Sequence, residues 1–365
     1  MNSFSIVYYV SSHGFGHATR SAEIVSNLKQ LHPSMRVLIR SAIPPQKFSS
    51  LCDTPVSGSD NYDVGVAQSD CLHIDINETY RLCQRWLCET PQIIRREVAF
   101  CKSQNAIGIV SDISSLPFRI AELIKVPSIG ISNFTWDWIY EPWMDNVPGF
   151  KLIIKELRND YAKASLFLKL PFSGQLTAFP VTESISLVGR ESTICVDTVK
   201  KKLSLPKTKK TILLSFGGHG LRFDNTIHTK IPFDRYEFIS TNDYGISCRH
   251  FSESFLRQNE ICYQDLVKVS DMVITKPGYG IVSECIVNRT PILYTDRGLF
   301  REYPVLVKEM NDYIPALHIP GEMLVSGNWE PYIDRLFEEP MSPLEKPTDG
   351  AAIAAKRICD TIGVQ

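Results

Sequence analysis

A short apolar run, Ile6-Val7-Tyr8-Tyr9-Val10, passes directly into His13-Gly14-Phe15-Gly16-His17-Ala18-Thr19-Arg20, and that loop passes into a stretch with Ile24, Val25, Leu28 and Leu31 on one side. Strand, glycine-rich loop and helix in this order open an α/β domain of the kind that handles a nucleotide or a sugar. Gly14 and Gly16 carry no side chain, so a substrate can come close to the loop and its imidazoles. An imidazole titrates near neutral pH and can take a proton from a hydroxyl, which makes His17 and His13 candidate general bases. A dinucleotide cradle is the rival reading. Gly14-x-Gly16-x-x-Thr19 has threonine at the third glycine of that fingerprint, and Arg40, ending the next apolar run, suits a 2′-phosphate as in an NADP oxidoreductase.

The alternation continues along the chain. Arg36–Arg40 reads as a strand, Glu78 to Cys101 as a long amphipathic helix, Ile107–Ser111 as a strand, Leu116 to Ile124 as a helix, and Ser128–Ser132 as a strand. Pro171, Gly174, Pro180 and Gly189 then break the pattern, marking a linker between about Pro171 and Ser192. A second series follows, with strands at Thr211–Phe216, Asp271–Thr275 and Pro291–Tyr294, a helix over Ile281–Val287 and a closing helix over Ala351–Ile362. Such alternation predicts parallel sheets covered on both faces. At 365 residues the chain exceeds one ordinary core and divides into two α/β domains, 1–180 and 181–365.

Lysine plus arginine (39) nearly balances aspartate plus glutamate (40), so no bulk field draws the chain to nucleic acid. The ten cysteines are scattered without a CxxC pair and read as reduced thiols of a cytoplasmic protein. The first apolar run is too short for a signal segment or a membrane span.

In open parallel sheets ligands bind beyond the carboxyl ends of the strands, and each glycine cluster falls at such an end. In Lys276-Pro277-Gly278-Tyr279-Gly280-Ile281-Val282-Ser283-Glu284 the glycines leave backbone N–H groups open to an anion, the helix dipole favours phosphate and Lys276 adds charge. Glu284, further into that helix, suits a ribose diol. Gly217-Gly218-His219-Gly220 would let a pyrophosphate approach the backbone, and Asp296-Arg297-Gly298-Leu299-Phe300-Arg301-Glu302 offers charged groups to sugar hydroxyls or phosphate. Ordinary glycine turns and a surface ion-pair loop are the bland alternatives. Asp112, closing the Ile107–Ser111 strand, is placed either to orient His13 or His17 or to cap the helix that starts near Leu116. The aromatic stretch Phe134–Trp143, with Trp136 and Trp138, either presents flat faces to an acceptor or fills the core.

Taken together, His13–Arg20, Val64–Asp70, Asn133–Trp138, Lys276–Gly280 and Gly327–Tyr332 resemble the N-terminal glycosyltransferase-like half of the plant L-arabinokinase family, over about residues 4 to 362. More distantly, Gly14-x-Gly16-His17 and Lys276-Pro-Gly…Ser283-Glu284 are similar to the bacterial transferase that adds GlcNAc to the lipid-linked peptidoglycan precursor. Both have the GT-B architecture. The resemblance implies two facing Rossmann-like domains with parallel sheets, the first for the acceptor and the second for a nucleotide-sugar donor, and a last helix that packs back on the first domain. It implies a glycosyltransferase that needs no bound metal and no tightly bound cofactor, moving a sugar from a nucleoside-diphosphate donor, expected to be a UDP-sugar, to a hydroxyl acceptor. Under it His17 is the catalytic base, with His13 and Asp112 beside it. Gly14, Gly16, Arg20, Trp136 and Trp138 face the acceptor. Gly217, Gly218, Lys276, Gly278, Gly280, Ser283 and Glu284 hold the donor, with Glu302 near its sugar. The arabinokinase domain that phosphorylates sugar has no counterpart in the expected organisation, so a non-catalytic nucleotide-sugar-binding module and a GT-B-fold epimerase stand as alternatives.

Overall fold

All six residues of the first strand, β1 (Ser5–Val10), are buried, as a central strand covered on both faces requires. The computed structural model describes residues 4–364 apart from 46, 47, 49, 50, 53, 59, 60, 69–73, 218–222, 224–226, 228, 229 and 342. In the first domain β1 is followed by β2 (Arg36–Arg40), β3 (Val56–Ser57), β4 (Ala106–Asp112), β5 (Ser128–Ser132), β6 (Leu166–Lys169) and β7 (Thr182–Ser184). They form one parallel sheet in the order β3-β2-β1-β4-β5-β6-β7. In the second domain β8 (Lys210–Ser215), β9 (Tyr236–Ser240), β10 (Arg249–His250), β11 (Met272–Thr275), β12 (Ile292–Tyr294) and β13 (Ala316–His318) form a second parallel sheet, in the order β10-β9-β8-β11-β12-β13.

Strand order reverses between β1 and β4 in one sheet and between β8 and β11 in the other. Helices leaving neighbouring strands diverge at such a point and open a crevice at the carboxyl ends. Asp112 ends β4, and the segments that leave β1, β8 and β11 carry His13–Gly16, Gly217 and Lys276–Gly280, so topology alone gathers the sequence's glycine clusters into the two crevices.

The helix Phe15–Leu31 packs with Ala18, Ile24, Val25 and Leu28 fully buried. One apolar cluster joins these residues to Val282 and Ile286 of the helix Tyr279–Asn288 and to Ala354 and Ile358 of the last helix, Gly350–Ile362. Burial of each valine, leucine or isoleucine among them contributes about 1.5–3 kcal/mol, and because the cluster draws on both domains they share a core. At their closest the two glycine loops meet backbone to backbone: a Cβ on Gly280 would lie 2.7 Å from the Cα of Gly16. A side chain at 280 would force the backbone apart, whereas a Cβ on Gly16 would sit 3.2 Å from Gly280 N, a tight contact.

The boundary is narrower than the broken pattern from Pro171 to Ser192 suggests, because Thr182–Ser184 pairs with β6 and belongs to the first sheet. The last helix packs on Phe15–Leu31, so the chain crosses between domains twice. The crossings are hydrogen-bonded side by side: Leu187 N–H donates to Pro347 O at 3.4 Å, Gly350 N–H to Leu187 O at 3.1 Å, and Ser186 Oγ to Asp349 Oδ1 at 2.6 Å. Among the described residues no helix is long and apolar enough to cross a membrane.

Candidate functional site

Gly14, at φ +126°, turns the chain out of β1 and into the helix Phe15–Leu31. Such a turn is open to glycine and strained for other residues. It sets His17 in the first helical turn, facing Asp112 at the end of the neighbouring β4. His17 Nδ1 lies 2.8 Å from Asp112 Oδ1, and both residues are buried. Arg20, one turn further along the helix, reaches the same carboxylate through Nε (2.7 Å to Oδ2) and Nη2 (2.5 Å to Oδ1), while Ser21 Oγ donates to Oδ2 at 3.0 Å.

These contacts fix the tautomer of His17. Arg20 Nη2 has two protons and two good acceptors, Asp112 Oδ1 and Ser132 Oγ (3.0 Å), so its 2.9 Å approach to His17 Nδ1 carries no third hydrogen bond. Nδ1 therefore bears the proton donated to Asp112, and Nε2 has no hydrogen-bond partner among the described residues. Burial pushes the Asp112 carboxyl upward, but Arg20 and His17 outweigh it and hold the group down at about 2. Asp112 is thus an anion that orients an imidazole and can stabilise an imidazolium.

His13 is not part of this pair. Its Nε2 lies 3.2 Å from Asp63 O and 3.3 Å from Asp63 Oδ1, and Asp63 also accepts from Ser11, Ser114 and Trp136 Nε1. The expectation that Asp112 serves either histidine resolves in favour of His17. Arg20, expected on the acceptor side, is itself buried, with Nη1 on Asn133 Oδ1 at 2.8 Å and its guanidinium 5.3 Å from the centre of the Tyr279 ring. Trp136 and Trp138 do not stand open as flat platforms. Trp136 is 2% exposed and stacks on Tyr140, and Trp138 is covered by the Arg301 guanidinium at 4.5 Å from its ring centre. Arg40 is also withdrawn from the solvent and bound to Glu97, with its Nε 2.9 Å from Oε2, so the 2′-phosphate reading loses its cation.

On the facing domain Gly278 caps the helix Tyr279–Asn288 without a side-chain cap hydrogen bond. Gly280 abuts Gly16, and Ser283 Oγ donates to Gly280 O at 2.9 Å. Lys276 is half-buried at the end of β11. Gly217, at φ +76°, follows β8 by two residues, whereas Gly218 lies outside the described residues. Glu284 is buried, and its Oε1 takes both Nε (2.7 Å) and Nη2 (2.5 Å) of the buried Arg190. No described residue donates to Glu284 Oε2. Burial raises the Glu284 carboxyl, and Arg190 opposes that rise.

Glu302 is engaged at both oxygens. Asn133 Nδ2 of the first domain donates to Oε1 at 2.6 Å, and Arg297 Nη1 donates to Oε2 at 2.6 Å. A continuous chain of polar contacts therefore runs from His17 through Asp112, Arg20, Asn133 and Glu302 to Arg297, which also donates to Pro277 O at 3.0 Å. Asn133 had no assigned role in the sequence, although it lies in a quoted motif; nothing local signals its partners Arg20 and Glu302, each more than a hundred positions away. Beside Arg297 a cleft of about 550 Å³ opens between the domains, lined by Ile74, Ile76, Trp143, Leu299 and Tyr303. Among the described residues no group of three or more His, Cys, Asp or Glu side chains is arranged to hold a metal ion.

No family model matches the chain. L-Arabinokinase of Arabidopsis thaliana is 26% identical over 361 residues, which is 97% of this chain and 34% of that protein, so the chain spans about a third of the relative's length. Among solved structures, a UDP-glucosyltransferase from Polygonum tinctorium superposes with a TM-score of 0.61 at 13% identity, covering 100% of this chain and 93% of that one. A UGT transferase from Siraitia grosvenorii, in complex with UDP, superposes with a TM-score of 0.57 at 11% identity, covering 99% and 100%. Two Rossmann-like domains, two parallel sheets and full-length superposition together identify the fold of this chain as GT-B.

Proposed function

We propose that the protein is a glycosyltransferase that moves a sugar from a nucleoside-diphosphate donor, a UDP-sugar in the first instance, to a hydroxyl acceptor. The observation that carries this reading is the His17–Asp112 pair, with Nδ1 on the carboxylate and Nε2 without a partner among the described residues, at the switch point of the first sheet and facing the glycine-capped helix of the second. His17 Nε2 takes the acceptor's hydroxyl proton as the oxygen attacks the anomeric carbon. Asp112 holds the ring and stabilises the imidazolium. The bond to the donor's diphosphate breaks, and the leaving charge is met by the N–H groups from Gly278 to Gly280, by Lys276 and by the loop at Gly217 and Gly218. Glu284 offers its uncommitted Oε2 to the ribose diol while Arg190 holds Oε1. No step in this scheme calls for a metal. The similarity to L-arabinokinase supports common descent with a segment of that protein; the kinase activity in its name is no part of the proposal.

The test is a panel of nucleotide sugars with a broad set of hydroxyl acceptors, read by product mass. Wild type is expected to form a glycoside, and His17→Ala to lose transfer while binding the donor with unchanged affinity. Equal turnover in variant and parent removes His17 from the chemistry. Donor binding by wild type with neither transfer nor hydrolysis replaces the reading with a nucleotide-sugar-binding module, and interconversion of donor sugars without acceptor replaces it with an epimerase.

A further inference from the structure

Arg297 is the one member of the cross-domain polar chain that reaches an open cleft. Its Nη1 spends two protons on Glu302 Oε2 and Pro277 O, at 2.6 and 3.0 Å. The face of the guanidinium is held by Phe300, 4.3 Å from its ring centre. No described residue accepts from Nε or Nη2, although the side chain is only 20% exposed. One corner and one face of the plane are thus fixed, and three N–H bonds remain uncommitted. Fixing a guanidinium in advance reduces the entropy lost when it grips a ligand.

The surroundings say what that ligand is. A Cβ on Gly278 would lie 3.3 Å from Arg297 Nη1 and 3.9 Å from Nη2, so the absence of a side chain there leaves the guanidinium beside the first N–H groups of the helix Tyr279–Asn288. A cation and a helix start converging on one spot select an anion with several acceptor oxygens, and a planar fork of donors matches phosphate geometry. Arg297 also lines the 550 Å³ cleft, so the spot opens on space that a ligand can enter. The Glu302 carboxylate neutralises Arg297 within the protein and explains how a half-buried cation is tolerated before any anion arrives.

We propose that Arg297 is the side chain that grips the diphosphate of a nucleoside-diphosphate ligand, with Glu302 as the residue that positions it. This inference rests on the donor reading of the second domain. It differs from the sequence expectation for Glu302, whose carboxylate acts through Arg297 and not on the sugar.

Isothermal titration of the full chain with UDP and with uridine tests it. Glu302→Gln is the reference, because Arg297→Gln alone would strand a buried carboxylate. Adding Arg297→Gln to Glu302→Gln is expected to weaken UDP binding roughly ten- to a hundredfold, the range for charge-assisted hydrogen bonds, and to leave uridine binding unchanged. Equal UDP affinity in the two variants overturns the assignment. If the double variant fails to fold, Arg297→Lys keeps the charge and loses the fork. It is expected to lose UDP affinity severalfold, and parental affinity for UDP overturns the assignment equally. Failure of wild type to bind UDP, GDP, ADP or dTDP overturns the donor reading, and this inference with it. UDP binding that ignores Arg297 overturns this inference alone.

Discussion

Asn133 Nδ2 donates to Glu302 Oε1 at 2.6 Å across the domain boundary, and neither residue is open to solvent. The same Asn133 accepts from Arg20 Nη1 through its Oδ1. One amide therefore joins the carboxylate that fixes Arg297 to the cation that fixes Asp112, and through Asp112 to His17. An amide suits the position because it donates at one end and accepts at the other.

Replacing Asn133 with alanine leaves an Arg20 proton and a Glu302 oxygen without partners inside the interface. The expected cost is about 1–3 kcal/mol of stability, read as a lower urea midpoint at unchanged slope. An unchanged midpoint would mean that the two domains do not depend on this bridge.

Asp112→Asn keeps the size of the side chain and removes the charge that fixes the His17 tautomer. On the proposed mechanism, turnover falls roughly a hundred- to ten-thousandfold, with donor affinity retained. Stability gives an independent readout. The carboxyl is held at about 2, below its ordinary 3.8, so its contribution is complete above pH 4 and is lost as pH falls towards 2. It amounts to about 2 kcal/mol. Denaturation curves for parent and variant are expected to draw together between pH 4 and pH 2; a constant gap across that window would contradict the assignment.

Arg190 and Glu284 form a buried ion pair, so removing either leaves the other charge stranded. Arg190→Ala and Glu284→Ala are each expected to cost about 3–5 kcal/mol, and the double variant clearly less than their sum. Additive losses in chemical denaturation would show that the pair does not act as a unit.

Gly280→Ala places a methyl group 2.7 Å from the Cα of Gly16, where only backbone movement can make room. The variant is expected to fold with both sheets intact but with the domains pushed apart, lowering transfer by at least tenfold. Small-angle scattering measures the separation, and identical profiles for the two proteins would show that the seam yields locally.

Strand β5 and the helix Leu116–Ile124 coincide with the sequence reading because apolar period, proline and glycine are local signals. The partnership of His17 with Asp112 was legible only as one of the options open to Asp112: the adjacency of parallel strands β1 and β4, which brings together residues 95 positions apart, selects His17 over His13. The links to Asn133, Glu302 and Arg190 were not legible. They depend on how one domain faces the other and on side-chain reach, neither of which has a periodic trace in the chain. The tryptophans were open to two readings, a core or a binding face, for a different reason. An aromatic cluster looks alike in a core and in a binding face, and only the packing of Tyr140 and Arg301 over Trp136 and Trp138 distinguishes them.

The paired crossings at Ser186–Leu187 and Pro347–Gly350 also bear on how such a molecule moves. Two covalent connections lying side by side suppress twisting and sliding, and leave rotation about the line that they share as the soft direction. A movement of one domain against the other that parts Gly16 from Gly280 is therefore a swing in one coordinate.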